Sequence, residues 1–329
     1  MEKAKDQVFK IEITWRTIIF TAVFIILLQV LWALQDLLMS LFIAFIIMSV
    51  AKPLVARLER IRIPRTLSAL VLFILLFWGI GWGVAWLLPL LASDMTAFAR
   101  SLNTLISDLD PAILQYFNGK SFNEYLPNVT TQIFPFLRNI FSNVVFVMTT
   151  LFFSFYFIVE ENFIRNFLMK FFKKEQAERV ALIFDKTERR MGTWFRGELV
   201  LMVVIGVVTY IGLLVIGVRH ALSLAVIAGL LEVFPVIGPI ISAVPAFIFA
   251  VNQSYFLGIS TLALYTIIQQ LENNLIVPWV MKQAIGLNKI LILIVLIAGG
   301  KLAGVLGLFI AIPLTITIQS VLMEAVKPK

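Results

Sequence analysis

The chain has 329 residues, of which 60% are hydrophobic and 14% are charged, and its formal net charge is +8. A soluble globular protein is about 45–50% apolar and about 25% charged, so this composition excludes an ordinary soluble domain. The sequence has no cysteine and one histidine, which excludes disulfides, cysteine-ligated metals and sites built from several histidines.

Long apolar stretches recur along the chain and predict membrane-spanning helices. A helix needs about 20 predominantly apolar residues to cross a bilayer. Six stretches approach or exceed that length, at 17–35, 37–55, 66–91, 140–159, 197–217 and 255–277. The first follows a polar, basic N-terminus without an A-x-A cleavage pattern, so we expect a retained anchor rather than a signal peptide.

Basic residues between these stretches indicate the orientation of the chain. Lys and Arg together number four in residues 1–16, five in 51–66 and nine in 161–196. Segment 92–139 carries three, against four acidic residues. The positive-inside rule then predicts cytoplasmic N- and C-termini. The positive charge thus indicates topology and contact with membrane lipids, and we expect no nucleic-acid partner.

Two segments between the spans are amphipathic. From Ser93, a candidate N-cap, to Leu109, apolar residues share one helical face, which predicts a small extracytoplasmic cap. Phenylalanines and lysines at helical spacing after residue 161 are typical of an interfacial helix, with a docking site for a cytosolic partner as the alternative. The predicted organisation has five parts. It begins with an N-terminal helical scaffold (1–91), an extracytoplasmic amphipathic region (92–139) and a transmembrane helix (140–160). Cytoplasmic interfacial helices (161–196) and a transport region (197–329) follow.

Two apolar regions within the transport region, 221–251 and 290–325, are broken by Gly and Pro. The first reads IAG, six residues, VIG, four residues, AVP, and the second reads IAG, five residues, VLG, three residues, AIP. Backbone groups freed by such breaks must face protein or a water-filled cavity, so we predict two re-entrant hairpins. A single span between them would make them enter from opposite faces, as an inverted repeat suited to alternating access. The predicted fold is therefore an all-α, polytopic transmembrane protein.

Three ionisable residues in this region are candidate transport or coupling groups, because an intramembrane charge normally pairs or lines a cavity. Glu232 precedes the first break, Lys301 lies at the second, and Glu272 ends the span between them. We expect Glu232 and Lys301 to approach each other near the midplane, with Glu232 coupling transport to H⁺ or Na⁺. An ion pair that only holds the hairpins together is the alternative, and Glu272 could be solvated at the interface. Candidates for substrate contacts or hairpin tips are Pro235, Gly238, Pro239, Gln269, Asn273, Asn274, Gly299, Gly300, Gly304 and Pro313.

Several of these residues carry a family resemblance. The stretch EVFPVIGPIISAVP from Glu232 to Pro245, ENNLIVP from Glu272 to Pro278, and the Gly286–Leu287 pair resemble motifs of the AI-2E family, also called PerM-like permeases. The resemblance implies a bacterial cytoplasmic (inner) membrane location, an elevator-like moving part and a homo-oligomer such as a pentamer. It also implies export of a small polar solute, with autoinducer-2 as the leading candidate, or sodium(lithium)/proton antiport as the alternative.

Other patterns point to no further chemistry. No nucleotide-binding loop or hydrolase motif occurs, so we expect no enzyme, no bound cofactor and no metal site. His220, beside Arg219, is expected to be a solvated loop residue, with pH sensing as the alternative. A membrane scaffold or regulatory protein is the competing function from a different class.

Overall fold

The computed structural model describes residues 15–107, 144–160, 162–281 and 288–325, and this part of the chain contains helices and turns but no strand. The predicted region 108–139, the Gly286–Leu287 pair and the first 14 residues lie outside it. The helices are α1 Trp15–Ala33, α2 Gln35–Arg60, α3 Arg65–Ser107, α4 Val144–Val159, α5 Phe163–Phe171, α6 Lys174–Ile216, α7 Ala221–Leu231, α8 Ile237–Val251, α9 Tyr255–Leu271, α10 Val277–Val280 and α11 Lys289–Ala325, with a π-helical turn at Glu272–Ile276.

The apolar stretches form the expected helices. Among the described residues, five helices are long and apolar enough to cross a membrane: α1, α2, α3 as far as Leu91, α6 and α11. The pair α4 and α5, bent by 85°, could form a sixth span. The helix α9 covers most of the predicted span 255–277, and the π-helical turn and α10 continue it. The predicted all-α, polytopic membrane fold is therefore confirmed.

Two predicted boundaries are wrong because the helices continue through them. The helix α3 extends to Ser107 without a break, so Ser93 lies inside it, and its hydroxyl donates to the carbonyl of Leu90 at 2.8 Å rather than capping a new helix. Residues 174–196 belong to the same helix as the following span. In both places amphipathic and apolar sequences keep helical register, so a change in polarity does not mark a helix end.

The helix α6 organises the described part of the fold, since it packs against α2, α5, α7, α9, α10 and α11. Its first half is held by polar contacts. Lys186 pairs with Glu324 of α11 at 2.7 Å, and Lys52 of α2 pairs with Glu188 at 2.9 Å. Close approach of its second half to α7 depends on Gly206 and Gly229, since a Cβ on Gly229 would lie 2.6 Å from the Met202 carbonyl oxygen.

Helices α7 and α8 pack against each other and form hairpin 1. Its turn contains Pro235 and Val236, and the Ile237 amide donates to the Pro235 carbonyl at 2.9 Å. Val236 has φ 71° and ψ −47°, a γ-turn conformation that is strained for a β-branched residue. A Cβ on Gly238 would lie 1.9 Å from the Leu231 carbonyl oxygen, so only glycine lets α8 fold back this closely.

The helix α11 is also folded back, and its two arms form hairpin 2. Ala303 and Gly304 have non-helical backbone angles, and Gly304 has φ 58° and ψ −138°, a conformation accessible mainly to glycine. A Cβ on Gly307 would lie 2.0 Å from the Gly299 carbonyl oxygen. Residues eight apart in a straight helix are separated by about 12 Å, so this contact requires a turn. Gly238 and Gly307, which occupy matching positions in the two sequence patterns, both contact the preceding arm.

Candidate functional site

Three buried glutamates lie together where hairpin 1 meets α6 and α9. Glu198 lies on α6, Glu232 ends α7, and Glu272 begins the π-helical turn. Their exposed fractions are 1%, 1% and 5%, respectively. Each of the three carboxyls lies close enough to another for their charges to interact: Glu198 with Glu272, and Glu232 with both. Three separate elements thus converge on one acidic cluster.

Local sequence explains how each carboxyl reaches this point. Glu198 shares one buried face of α6 with Leu201, Ile205 and Thr209. Glu232 occupies the last position that α7 can extend to, because Pro235 cannot continue the helix. Glu272 starts a five-residue π-helical turn, a local irregularity that is frequent at functional sites.

The carboxyls of Glu232 and Glu272 line a cavity of about 10 Å³ with neutral polar side chains. Those neutral side chains are Thr209, Ser242, Tyr265 and Gln269. Within the described residues, the hydroxyls of Thr209 and Tyr265 and the Oε2 atom of Glu232 have no hydrogen-bond partner. Among the residues that the structure describes, no basic side chain lines the cavity. Its volume is close to the minimum of about 10–15 Å³ that holds one water.

This arrangement is unfavourable if every carboxyl is ionised. Buried charges normally pair with an opposite charge or coordinate a cation, and like charges in apolar surroundings repel strongly. In the part of the chain that the structure describes, no three acidic or histidine side chains converge closely enough to hold a metal ion. The geometry is therefore suited to holding a proton on one of the carboxyls.

The predicted approach of Glu232 to Lys301 is wrong. Lys301 is exposed on hairpin 2, whereas Glu232 is buried among acidic and neutral groups, and no ion pair between them occurs. The two residues occupy matching positions in the sequence patterns, but their hairpins place them in different surroundings. Glu272 is buried rather than solvated.

The remaining predicted residues are divided between the cavity and other places. Pro239 and Gln269 line the cavity. The side-chain amides of Asn273 and Asn274 donate to the carbonyls of Gln269 and Gln270 at 2.8 and 2.9 Å. The glycines of hairpin 2 and Pro313 instead shape α11: Gly299 approaches Gly307, Gly300 approaches Leu308, and Pro313 lies inside the return arm.

Glu198 was not among the sequence candidates. It lies two residues after Arg196 at the start of the apolar stretch 197–217, where an acidic residue is expected to be solvated at the membrane surface. The structural signal for its burial is the helical spacing of Glu198, Ile205 and Thr209 on one face. That spacing could have been read from the sequence.

His220 lies in the turn before α7 and is exposed, as predicted, but it also makes specific contacts. Its Nδ1 atom lies 2.6 Å from Oδ1 of Asp94, on the continuation of α3, and its ring packs against Phe249 at 4.8 Å between centroids. The hydroxyl of Ser223 donates to the other oxygen of Asp94. Asn252 of hairpin 1 also donates to the Ser101 carbonyl at 2.9 Å. These contacts tie the end of α3 to the end of hairpin 1 distant from its turn.

Comparison with known proteins gives a consistent result. A family model described as the AI-2E family transporter matches residues 20–327. The chain is 24% identical to YrrI of Bacillus subtilis (strain 168) over 304 residues, which is 88% of this chain and 85% of YrrI. It is 23% identical to YueF of the same strain over 316 residues, 89% of this chain and 85% of YueF. Both are provisionally described as transport proteins.

A shorter similarity links the chain to a further relative. The chain is 29% identical to PerM of Escherichia coli (strain K12), provisionally described as a permease, over 145 residues, 43% of this chain and 40% of PerM. The family match includes α6, both hairpins and the π-helical turn. The buried carboxyls therefore lie inside the matched region.

Proposed function

Because the chain belongs to the AI-2E transporter family, we propose that it is a secondary transporter coupled to ions at the buried carboxyls of Glu198, Glu232 and Glu272. The single observation that supports this coupling site is the burial of Glu232 and Glu272 around a cavity that has no basic lining residue among the described residues, with Glu198 buried beside them. Intramembrane ionisable residues commonly mark ion or proton pathways.

The size of the cavity favours an ion over an organic solute at this position. About 10 Å³ accommodates at most one water-sized species. We therefore propose sodium(lithium)/proton antiport as the leading activity, in which a bound cation and a carboxyl proton replace each other. The neutral oxygens of Thr209, Ser242 and Tyr265 would complete the coordination of a dehydrated cation.

The hairpins offer a way to expose the cluster alternately to the two sides. Glu232 lies at the turn of hairpin 1, whereas Glu198 lies on α6, which is tied to α2 and α11 by ion pairs and hydrogen bonds. A shift of hairpin 1 against α6 would separate these carboxyls and open the cavity to water. Protonation or cation binding would favour the closed arrangement, since it reduces their repulsion.

Export of a small polar solute, with autoinducer-2 as the candidate, is the second proposal, and the name of the matched family supports it. The solute would bind in an opened state, since the closed cavity is too small for it. We further propose a multi-pass location in the bacterial cytoplasmic membrane, with cytoplasmic termini. A homo-oligomer, such as a pentamer, would cover part of α1, none of whose residues is buried.

The decisive experiment uses purified full-length protein in liposomes that enclose a pH-sensitive dye. Addition of Na⁺ or Li⁺ outside is expected to move protons in the opposite direction without any organic solute. The variants Glu232→Gln and Glu198→Gln should abolish this signal, because a neutral amide cannot exchange a proton for a cation. The matched control is Glu178→Gln on the exposed surface of α6, which should retain it.

Parallel liposomes loaded with autoinducer-2 test the second proposal. Gradient-dependent movement of autoinducer-2 that is lost in Glu232→Gln, without a sodium-induced proton signal, would favour solute export. If neither species moves through folded protein, the transport proposal fails. A scaffold function would then be indicated by a cellular phenotype that survives Glu232→Gln and is lost on charge reversal at Lys170, Lys173 and Lys174.

A further inference from the structure

A second, much larger cavity lies away from the buried carboxyls. It has a volume of about 950 Å³ and is bounded by α2, α4, α5, α6 and the return arm of hairpin 2. This volume is near the upper end of the roughly 300–1,000 Å³ range of small-molecule sites. Its walls are mainly aromatic and aliphatic, and they include Phe42, Phe45, Phe152, Phe153, Phe157 and Phe184.

One end of this cavity is polar and charged. The cavity shares Phe157, Glu160 and Phe163 with a smaller pocket that is also lined by Lys52, Arg165, Asp185 and Glu188. Lys52 is paired with Glu188, and Arg165 contacts Glu178 at 3.5 Å with both side chains about half exposed. Among the described residues, neither Glu160 nor Asp185 has an ion-pair partner. The polar end thus offers two exposed carboxylates without an ion-pair partner in the described part of the chain, beside the half-exposed guanidinium of Arg165.

We propose that this cavity binds a phospholipid whose headgroup carries both a phosphate and a primary ammonium, as in phosphatidylethanolamine. Its acyl chains would lie among the aromatic side chains, where burial of methylene groups is favourable. Its ammonium would face Glu160 and Asp185, and its phosphate would face Arg165. A purely anionic headgroup would be repelled by the two carboxylates.

Charge complementarity distinguishes this occupant from a second copy of the chain. An apolar helix of another protomer could fill the aromatic part but would leave both carboxylates without a cation. The amphipathic helix α5 supports the lipid assignment, since its aromatic residues Phe163, Phe167 and Phe171 contact one another in a row. Such a helix lies at the boundary between headgroups and acyl chains.

The bound lipid would contact both the scaffold and hairpin 2. Thr317 and Val321 of the return arm line the cavity, opposite Phe42 and Phe45 of α2. Because the same arm is tied to α6 by the Lys186–Glu324 ion pair, lipid occupancy adds an apolar contact to a polar one. The site is therefore placed to hold hairpin 2 against the scaffold.

The test exchanges lipid on the purified full-length protein in detergent. The protein is incubated with equimolar phosphatidylethanolamine and phosphatidylglycerol and repurified, and the retained lipid is counted by mass spectrometry. Phosphatidylethanolamine should be enriched about fivefold, the effect of roughly one favourable charge contact at a partly exposed site. Glu160→Gln with Asp185→Asn should remove this preference but retain total lipid, and Glu175→Gln should change neither.

A matched pair of tryptophan variants on α6 tests the cavity itself. Val180→Trp should place an indole ring in it and reduce retained phospholipid at least about fivefold. Val203→Trp, at an exposed position in the separate α6–α7 groove, should leave retention unchanged.

Equal retention of the two lipids by the wild-type protein would overturn the proposal. Displacement of phosphatidylethanolamine by an equimolar amount of dodecyltrimethylammonium would also overturn it. A Val180→Trp variant that changes the oligomer mass but not the lipid content would overturn it as well.

Discussion

The carboxyl groups of Glu232 and Glu272 meet in a buried cavity although one ends α7 and the other begins a π-helical turn after α9. Glu198 approaches the same point from α6. Two broken elements and one regular helix therefore share an acidic centre. Movement of either broken element changes the electrostatic environment of all three carboxyls.

The first prediction concerns the pH dependence of stability. If the buried carboxyls bind a proton more tightly in the folded protein, the unfolded state binds fewer protons than the folded state over that pH range. The free energy of unfolding then falls as the pH rises. We expect the melting temperature in detergent to fall at alkaline pH and to be partly restored by Na⁺. Glu232→Gln should flatten this profile, whereas Glu178→Gln should not. Parallel profiles for wild-type protein and Glu232→Gln would contradict proton binding at Glu232.

The second prediction concerns the glycines that close the hairpins. Gly238→Ala and Gly307→Ala place a Cβ about 2 Å from backbone carbonyl oxygens of Leu231 and Gly299, which cannot move aside as a flexible side chain can. Each variant should lose about 1–3 kcal/mol of stability, the usual cost of overpacking. Gly79→Ala is the control, since nothing lies within 4 Å of its added Cβ. Equal melting temperatures for Gly238→Ala and Gly79→Ala would show that α8 does not approach Leu231 so closely.

The third prediction concerns strain at the turn of hairpin 1. Val236 has a positive φ of 71°, and such a conformation costs about 1–3 kcal/mol for a non-glycine residue. Val236→Gly removes this cost, so its melting temperature should equal or exceed that of the wild-type protein. Val244→Gly, inside α8, should instead be destabilised by about 1 kcal/mol because glycine is a poor helix former. Similar losses in both variants would indicate that Val236 is unstrained.

The helices and the positions of the breaks could be predicted from the sequence, because apolar length and Gly/Pro interruptions are local properties. The pairing of Glu232 could not, because position in a repeat pattern does not determine three-dimensional distance. Glu232 meets Glu272 rather than Lys301 because α7 packs against α6, and α9 packs against both α6 and α8. Glu198 was missed because a charge at the start of an apolar stretch resembles an interfacial residue, and the sequence Glu272–Ile276 has no recognised signature of a π-helical turn.

The fourth prediction concerns the contact between α3 and hairpin 1. Asp94 accepts hydrogen bonds from Ser223 and contacts His220 at 2.6 Å, and both partners lie at the start of α7. A double-mutant cycle of Asp94→Asn and His220→Gln, measured by thermal unfolding, should give a coupling energy of about 0.5–1 kcal/mol, typical of a partly exposed pair. The single-variant effects serve as the controls within the cycle. Strictly additive effects would show that the two side chains do not interact in solution.

The fifth prediction concerns the sides of the membrane that the hairpins enter from. The chain has no cysteine, so single-cysteine variants can be labelled by a membrane-impermeant thiol reagent without background. If α7 and α8 return to the side they entered from, Tyr255→Cys should react from the same side as Asp36→Cys at the α1–α2 turn. Trp279→Cys and Leu322→Cys, on either side of hairpin 2, should both react from the opposite side, with Arg60→Cys as its reference. All of these positions, including Asp36 and Arg60, are exposed and lie near helix ends, so lack of access would not result from burial within the chain. Labelling of Tyr255→Cys from the Arg60 side alone would mean that residues 221–251 cross the membrane, and the two hairpins could not then form an inverted pair around the carboxyls.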